Sequence, residues 1–277
     1  MEMSKLSLNS QDKIAVTLLI ALYARAIEAK LPDALLRDEY AIHLVEQIDY
    51  DFSRFKLEGH DQVTTIMRLR QFDLYTKDFL LDHPRSVVVH FGCGLDTRFE
   101  RVDNGLVEWF DLDLPEVIAF RQKLIQSSDR CHPLGCSIFD QEWLTPVRMY
   151  PDKPHLFLAE GVLPYFTQEQ VRQLFLLLAQ IFPGCVLICD GMTPSMVHLH
   201  NLKLGFSKLA ARLNWGLKNG HQPETWGQGI RMLSEWFYFD KPEPRLGSSQ
   251  LMRFIPLFAR GVGIFRYQLG DSISELK

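Results

Sequence analysis

The chain has few cysteines and no long hydrophobic run, and these absences narrow the classes of protein to which it can belong. Five cysteines are an odd number for a chain of 277 residues, a pattern typical of reduced thiols rather than a disulfide framework. The apolar stretch at residues 16–24 is too short to cross a bilayer and lacks a small-residue cleavage site. We therefore expect a cytoplasmic protein without a membrane anchor or an export signal.

Excess positive charge is also missing. The formal net charge is −4, so the surface offers no general attraction for nucleic acid or for an anionic membrane. Hydrophobic residues make up 47% of the chain and charged residues 23%, which is close to the globular average and sufficient for a substantial core. The composition favours a folded protein whose partner is a small molecule or another protein.

A glycine-rich turn between two apolar runs carries the clearest functional signal. Residues 86–98 read SVVVHFGCGLDTR, and VEWFDLDLP follows after a short gap. This order predicts a strand, a loop built on Gly92 and Gly94, a short helix and a second strand. Asp111 and Asp113 lie about 20 residues beyond Gly92, the separation at which a second parallel strand delivers an acid to ribose hydroxyls. The pattern predicts a cofactor that contains adenosine.

The third glycine of a dinucleotide fingerprint is missing, because Thr97 stands in its place. A pyrophosphate needs several free amides and a helix N-terminus, for which the full glycine set is used. S-adenosylmethionine has no phosphate and needs only one close backbone approach, which the turn at residues 92–94 provides because glycine lacks a Cβ atom. The motif therefore favours S-adenosylmethionine over NAD, although a tight turn that binds no ligand has the same pattern.

Strand and helix patterns alternate around this motif. Helices are predicted at residues 11–30, 63–81, 96–102, 115–125, 168–181 and 251–259, and strands at residues 86–91, 107–111, 133–138, 155–159, 185–190 and 261–270. Such alternation indicates a largely parallel sheet with helices on both faces. Residues 192–220 interrupt the alternation with a basic helical segment, a pattern shared by lids over clefts and by ordinary surface helices.

The chain contains no convincing linker, internal repeat or low-complexity tract, so a single domain of residues 1–277 is expected. We divide it into four parts. A helical N-terminal extension covers residues 1–82 and a cofactor-binding core covers residues 83–191. A substrate lid covers residues 192–235, and closing strands cover residues 236–277.

Four segments resemble, in the same order, the leucine carboxyl methyltransferase family, especially its bacterial polyketide O-methyltransferases of the tetracenomycin type. They read RAIEAKLPDALLRDEYA, VVVHFGCGLDTRFERV, VEWFDLDLPEVIAFRQKL and HLFLAEGVLPYF. The resemblance implies an α/β, class I S-adenosylmethionine-dependent methyltransferase fold. Its sheet is Rossmann-like, seven-stranded and mostly parallel with an antiparallel last strand, and N-terminal helices and a helical lid are added. It also implies O-methylation of a small, polyketide-like metabolite at a hydroxyl or carboxyl oxygen.

The resemblance further implies roles for individual residues. Arg68 matches the arginine that binds the cofactor carboxylate, a task that suits a bidentate guanidinium, and Arg70 is the competing choice. Arg25 matches a basic position near the same carboxylate. Glu160 matches the acid that faces the cofactor, where it would bind the amino group or balance the sulfonium charge; a helix-capping or surface acid has the same sequence pattern.

The adenosine end of the cofactor is matched by residues from three further places in the chain. Gly92 or Gly94 is the loop glycine, and Asp113 is the ribose acid, with Asp111 as the reserve choice. At the adenine position the family has an aspartate followed by an apolar residue, whereas this chain has Ser137 and Ile138. Ser137 can accept a hydrogen bond there without charge. Asp140 either replaces the missing aspartate or caps the next helix.

No residue stands out as a general base. The candidates are Tyr165, His198 and His200, with His221 nearby. An acceptor carboxylate with a pKa near about 4 is already anionic at neutral pH, whereas a phenol with a pKa near about 10 is not, so the acceptor decides whether a base is needed. The two histidines at 198 and 200 lack a third ligand, so no metal site is expected.

Three alternatives stay open at this point. The acceptor is either a small molecule or the C-terminal carboxylate of a protein. A binding protein that keeps the fold without turnover would bind the cofactor but consume no methyl groups. A nicotinamide-dependent Rossmann oxidoreductase would bind NAD in preference to S-adenosylmethionine.

Overall fold

A computed structural model describes residues 6–7, 13–126, 128–205 and 212–271 of the chain. Its main sheet has seven strands, which we label in chain order: β1 (Val87–Phe91), β2 (Glu108–Asp113), β3 (Cys131–Gly135), β4 (His155–Ala159), β5 (Cys185–Met192), β6 (Ile230–Phe237) and β7 (Val262–Leu269). The spatial order is β3-β2-β1-β4-β5-β7-β6. Strands β1 to β5 pair in parallel, and β7 runs antiparallel to both β5 and β6.

Helices cover both faces of this sheet. They are α1 (Lys13–Ala29), α2 (Glu39–Gln47), α3 (Gly59–Asp82), α4 (Arg98–Val102), α5 (Pro115–Arg121), α6 (Leu144–Val147), α7 (Gln168–Ile181), α8 (Pro194–Gly205) and α9 (Pro256–Ala259). Short 3₁₀ segments lie at Phe52–Arg54, Leu163–Tyr165, Gln222–Thr225 and Pro244–Phe254, and Leu6–Ser7 pairs in parallel with Ile48–Asp49. No helix in these described ranges combines the length and the apolar character that a bilayer crossing requires.

The core lies on both faces of the parallel strands. All five residues of β1 and of β4 are buried, as expected for a parallel sheet that is covered on each side. Helix α3 contributes Phe72 and Phe79 to the core on one face, and α7 contributes Phe175 and Leu178 on the other. The N-terminus of α7 has a capping box, in which the Thr167 hydroxyl accepts a hydrogen bond from the Gln170 amide.

The structure differs from the predicted elements at the C-terminal end and at one edge strand. Strand β3 lies at Cys131–Gly135 rather than at residues 133–138. Helix α9 has only four residues, because Ile255 is extended and separates Pro256 from the preceding 3₁₀ segment. Helix α2 and strand β6 were not predicted. Strand β6 is an edge strand whose alternation is interrupted by an irregularity between Met232 and Ser234, which removes the two-residue period that identifies strands.

The predicted lid is only partly described. Residues 194–205 form α8, residues 206–211 lie outside the described residues, and residues 212–217 have no regular secondary structure. Strand β6 runs through the boundary drawn at residue 235. The division of the chain into four parts therefore stays a prediction.

Candidate functional site

A cavity at the carboxyl ends of β1, β2 and β4 brings most of the predicted site residues together. It consists of two adjoining chambers that share five residues in their walls: Thr17, Leu18, Gly92, Gly161 and Tyr165. The polar chamber, of about 190 Å³, is further lined by Arg25, Arg68, His90, Gly94, Asp96 and Glu160. The apolar chamber, of about 300 Å³, is further lined by Leu112, Asp113, Cys136, Ser137, Ile138, Val162 and Phe166.

The glycine turn after β1 forms the floor between the chambers. Gly92 and Gly94 have φ values of +62° and +51°, in the left-handed region that favours glycine. A Cβ atom at Gly92 would lie 2.3 Å from Cγ2 of Val162, and one at Gly94 would lie 2.7 Å from Cδ2 of Leu18. The turn is fixed by the Gly92 amide, which donates to the Leu112 carbonyl at 2.8 Å. Side chains are therefore excluded where the backbone approaches the cavity.

Asp113 is held at the rim of the apolar chamber by two backbone amides. Its carboxylate accepts hydrogen bonds from the Gly94 amide at 2.8 Å and from the Leu114 amide at 2.7 Å. Burial raises the pKa of this carboxyl although both amides and two basic neighbours lower it. The side chain is thus ordered before any ligand arrives, with its oxygens beside the glycine turn.

Asp111, the reserve choice for the ribose, does not line the cavity. It lies two residues deeper in β2 and is 2% exposed, and its carboxylate accepts from Arg121 at 2.5 Å and from the Trp109 indole at 2.8 Å. Burial alone would raise the pKa of Asp111, but Arg121 and His90 outweigh it and hold the pKa at about 2. Asp111 is therefore an ionised partner of Arg121 inside the protein.

The turn after β3 forms one wall of the apolar chamber. The Ser137 amide donates to Asp140 at 2.8 Å, and the Ser137 hydroxyl accepts from the Phe139 amide at 3.2 Å. Asp140 thus caps this turn. Ile138 is buried, and the rings of Phe139 and Phe166 pack edge to face at 4.7 Å. The wall offers an apolar surface with one uncharged hydroxyl.

Arg68 and Glu160 face each other in the polar chamber. Nε of Arg68, on α3, donates to Glu160 at 3.0 Å, and its Nη1 lies 3.4 Å from Asp190 at the end of β5. The second oxygen of Glu160 accepts from Arg98 at 2.6 Å. Arg70 is exposed and does not line either chamber. The structure therefore places Arg68, and not Arg70, at the cavity.

Arg25 reaches the polar chamber from α1 but is already paired. It is 1% exposed, and it donates to Asp38 at 2.8 Å and to the Leu95 carbonyl at 2.7 Å. The first contact fastens α1 to the N-terminus of α2, and the second fastens it to the loop after β1. The guanidinium of Arg25 is thus hydrogen-bonded to the protein before a ligand binds.

A buried network of charged residues behind the polar chamber is not apparent from the sequence alone. Arg98 donates to Asp73 at 2.7 Å, and Arg101 lies 3.0 Å from Asp96. Burial alone would raise the pKa of Asp96, but Arg101, Arg98 and Arg25 outweigh it and hold the pKa well below its usual range. The only signal in the sequence is the DTRFER run, in which arginines three residues apart share one face of α4.

The three candidates for a general base differ in their position. Tyr165 lines both chambers, and burial raises the pKa of its hydroxyl although Arg68 lowers it. His198 is exposed and His200 is half-buried on α8, and neither lines the cavity. His221 is exposed and pairs with Glu224 at 2.9 Å. Within the described part of the chain, no three metal-ligating side chains form a group that could hold a metal ion.

Comparisons of the sequence identify relatives along most of the chain. The family model described as leucine carboxyl methyltransferase matches residues 18–179. The Streptomyces glaucescens protein named tetracenomycin polyketide synthesis O-methyltransferase TcmP is 32% identical over 227 residues, covering 82% of this chain and 83% of that protein. The Gibberella zeae protein named S-adenosyl-L-methionine-dependent methyltransferase dpfgK is 32% identical over 173 residues, covering 57% of this chain and 58% of that protein.

Solved structures share the fold. A protein from Thermobifida fusca, named provisionally as a methyltransferase, aligns with a TM-score of 0.56 at 14% identity over 89% of this chain and 94% of its own. A DUF574 family protein from Streptomyces avermitilis aligns with a TM-score of 0.55 at 12% identity over 91% and 96%. The topology and these likenesses confirm the predicted α/β, class I methyltransferase fold. Because the family model matches more than half of the residues of this chain, the chain belongs to the leucine carboxyl methyltransferase family.

Proposed function

We propose that this methyltransferase transfers a methyl group from S-adenosyl-L-methionine to a hydroxyl or carboxyl oxygen of a small molecule. The observation that carries the proposal is the cavity itself, which has a charged end and an apolar end joined over a glycine turn. A zwitterionic amino acid joined to a nucleoside has the same two-part character. The name of the Streptomyces glaucescens relative supports an oxygen atom of a polyketide-like compound as the acceptor.

The residues of the cavity fit this cofactor at both ends. Arg68 and Glu160 provide opposite charges for the carboxylate and the ammonium group, with Arg25 behind them. Asp113 provides carboxylate oxygens for the ribose hydroxyls, and Ser137 and Ile138 lie where the adenine ring would pack. When bound, the cofactor supplies an electrophilic methyl group on a positively charged sulfur.

The chain itself contributes position more than acid–base chemistry. The glycine turn lets the backbone approach the ligand, and the Arg68–Glu160 pair fixes its amino acid end, so that alignment with the acceptor at about 3 to 3.5 Å supplies most of the rate enhancement. The hydroxyl of an ordinary tyrosine, with a pKa near about 10, is protonated at neutral pH, and burial raises the pKa of Tyr165 further, so its hydroxyl can donate a hydrogen bond to an anionic acceptor. An acceptor that is already ionised, such as a carboxylate, needs no base from the protein.

Turnover of a set of acceptors tests this proposal. The purified protein is incubated with S-adenosylmethionine and aromatic carboxylic acids, phenols, or a peptide that ends in a leucine carboxylate, and S-adenosylhomocysteine release is measured. We expect turnover with at least one small acid or phenol and none with the peptide. Turnover with the peptide alone would favour a protein carboxyl methyltransferase, as the description of the family model suggests. Cofactor binding without turnover on any acceptor would indicate a non-catalytic binding protein.

A further inference from the structure

Asp190 is a buried carboxylate next to the cavity that the predicted site did not include. It lies near the end of β5 and is 5% exposed. It does not line either chamber, so it lies behind the residues that would touch the cofactor. Four titratable side chains from three other parts of the fold interact with it: Arg68 from α3, Glu160 and Tyr165 after β4, and Tyr238 after β6. A fifth, Cys189, precedes it on β5.

The two oxygens of Asp190 contact two different parts of the polar chamber. One accepts a hydrogen bond at 2.9 Å from the amide of Gly161, whose φ of +65° turns the chain directly after Glu160. The other lies 3.4 Å from Nη1 of Arg68. Since Nε of Arg68 donates to Glu160, the guanidinium is held along two of its edges. Its Nη2 has no hydrogen-bond partner among the described residues, and the Arg68 side chain is exposed to the chamber.

We propose that Asp190 is a positioning residue of the cofactor site, which holds Arg68 and the Glu160–Gly161 turn so that the free edge of Arg68 faces the cofactor carboxylate. The inference rests on the proposed function, because it assigns Arg68 to that carboxylate. Asp190 acts through Arg68 and Gly161 and touches no ligand. A guanidinium donates in a planar fork, so a small rotation of its plane would misalign the hydrogen bonds to a carboxylate.

The charge on Asp190 is unfavourable for the fold, which is typical of a group kept for function. Burial and Glu160 raise its pKa from 3.8 to about 6, and the lowering by Arg68 is too weak to cancel them. The folded protein thus favours the protonated form, whose contribution to stability is full below the ordinary pKa of 3.8 and is lost as the pH rises through about 6. The attraction between Asp190 and Arg68 changes in the opposite direction: it grows as the pH rises through about 6, because it needs the ionised carboxylate.

The variant Asp190→Asn separates the two effects. Asparagine keeps the shape and an oxygen that accepts from Gly161, but it cannot hold Arg68 by charge. The matched control is Asp240→Asn. Asp240 is an exposed aspartate outside the cavity, and it also accepts a hydrogen bond from a backbone amide, that of Phe237 at 2.8 Å. Affinity for S-adenosylhomocysteine is measured by calorimetry at pH 5 and pH 7.5, and urea unfolding is measured for each protein without ligand.

At pH 7.5 we expect Asp190→Asn to bind S-adenosylhomocysteine about 10- to 100-fold more weakly than the wild type, the range for losing one charge-assisted hydrogen bond. Its unfolding midpoint should be unchanged or higher, and the affinity ratio should approach one at pH 5, where Asp190 of the wild type is protonated. Asp240→Asn should bind normally.

Two results would overturn the inference alone while the wild type still binds the ligand. One is an affinity of Asp190→Asn within twofold of the wild type at pH 7.5. The other is a loss of affinity that persists at pH 5 together with a lower unfolding midpoint, which indicates a merely structural residue. If the wild type itself binds no S-adenosylhomocysteine, the proposed function fails, and this inference fails with it.

Discussion

Substituting Gly92 by alanine perturbs the part of the cavity on which the proposed cofactor site depends most. At φ +62° an alanine is strained by about 1–2 kcal/mol, the cost of the left-handed conformation for a residue with a Cβ atom. The new methyl group would also lie 2.3 Å from Cγ2 of Val162, so Val162 or the turn must move. Overpacking of this kind costs about 1–3 kcal/mol. Together we expect Gly92→Ala to lower the free energy of unfolding by about 2–5 kcal/mol.

A second glycine provides the control for the backbone strain. Gly105 has φ +78°, and a Cβ atom there would meet no other atom within 4 Å. Gly105→Ala should therefore lower the free energy of unfolding only by the cost of the backbone strain, about 1–2 kcal/mol. The difference between the two variants isolates the close approach of the turn to Val162. Urea unfolding measures the free energy of unfolding of both variants, and the slope of the transition checks that their unfolded states are comparable.

The double variant Gly92→Ala/Val162→Ala removes the clashing methyl groups while it keeps the strain. A double-mutant cycle should give a favourable coupling of about 1–3 kcal/mol, equal to the overlap that is relieved. Affinity for S-adenosylhomocysteine should fall at least tenfold in Gly92→Ala, because Val162 and the turn both line the apolar chamber. Equal losses of unfolding free energy for Gly92→Ala and Gly105→Ala, with no coupling to Val162, would show that the turn has room for a side chain at residue 92.

Three further predictions concern other parts of the structure. Asp113→Asn should bind S-adenosylhomocysteine at least tenfold more weakly in calorimetry, because its amide nitrogen cannot accept from a backbone amide or a ribose hydroxyl; unchanged affinity would contradict the ribose assignment. Arg121→Met should lower the free energy of unfolding, measured with urea at neutral pH, by about 3–5 kcal/mol, because Asp111 stays buried without its arginine partner. This loss should shrink below pH 4, because Arg121 helps to hold the pKa of Asp111 at about 2. Thr167→Ala should lower the free energy of unfolding, measured with urea, by about 1 kcal/mol without a change in ligand affinity, since Thr167 caps α7 and does not line the cavity.

The sequence predicts the fold best where local pattern and burial agree. Strand β4 and helix α7 have their predicted bounds, His155–Ala159 and Gln168–Ile181, because an apolar run between turns and a capping box are both local signals. Strand β6 was missed because it is irregular and lies at the sheet edge, where pairing with β7 and not its own pattern makes it a strand. The helix predicted at residues 251–259 is divided between the end of the 3₁₀ segment and α9, because Ile255 is extended before Pro256, and this break does not alter the hydrophobic spacing.

The predicted site shows a similar division. The order of the strand motifs is sufficient to bring Gly92, Asp113 and Glu160 to one cavity, because the carboxyl ends of parallel strands meet at one edge of the sheet. Arg68 lies on α3, and its place at the cavity was implied only by the family resemblance. Asp111 and Asp113 share a face of β2 and differ in their depth along the strand. The sequence does not show that the deeper residue, Asp111, pairs with Arg121 inside the protein.

The buried charges around the site were beyond sequence reasoning. Residues such as Asp190 and Arg98 are of types that are almost never fully buried unless paired, and their partners come from distant parts of the chain. Only the folded structure shows which of them pair. The roles assigned to the cavity residues, like the cytoplasmic location, stay predictions.

Calorimetric titration of the folded wild-type protein with S-adenosylhomocysteine and, separately, with NAD tests the central claim most directly. We expect saturable binding of S-adenosylhomocysteine at one site per chain and no binding of NAD, because the glycine turn lacks the third glycine of a dinucleotide site. No heat from S-adenosylhomocysteine, or tighter binding of NAD, would contradict it.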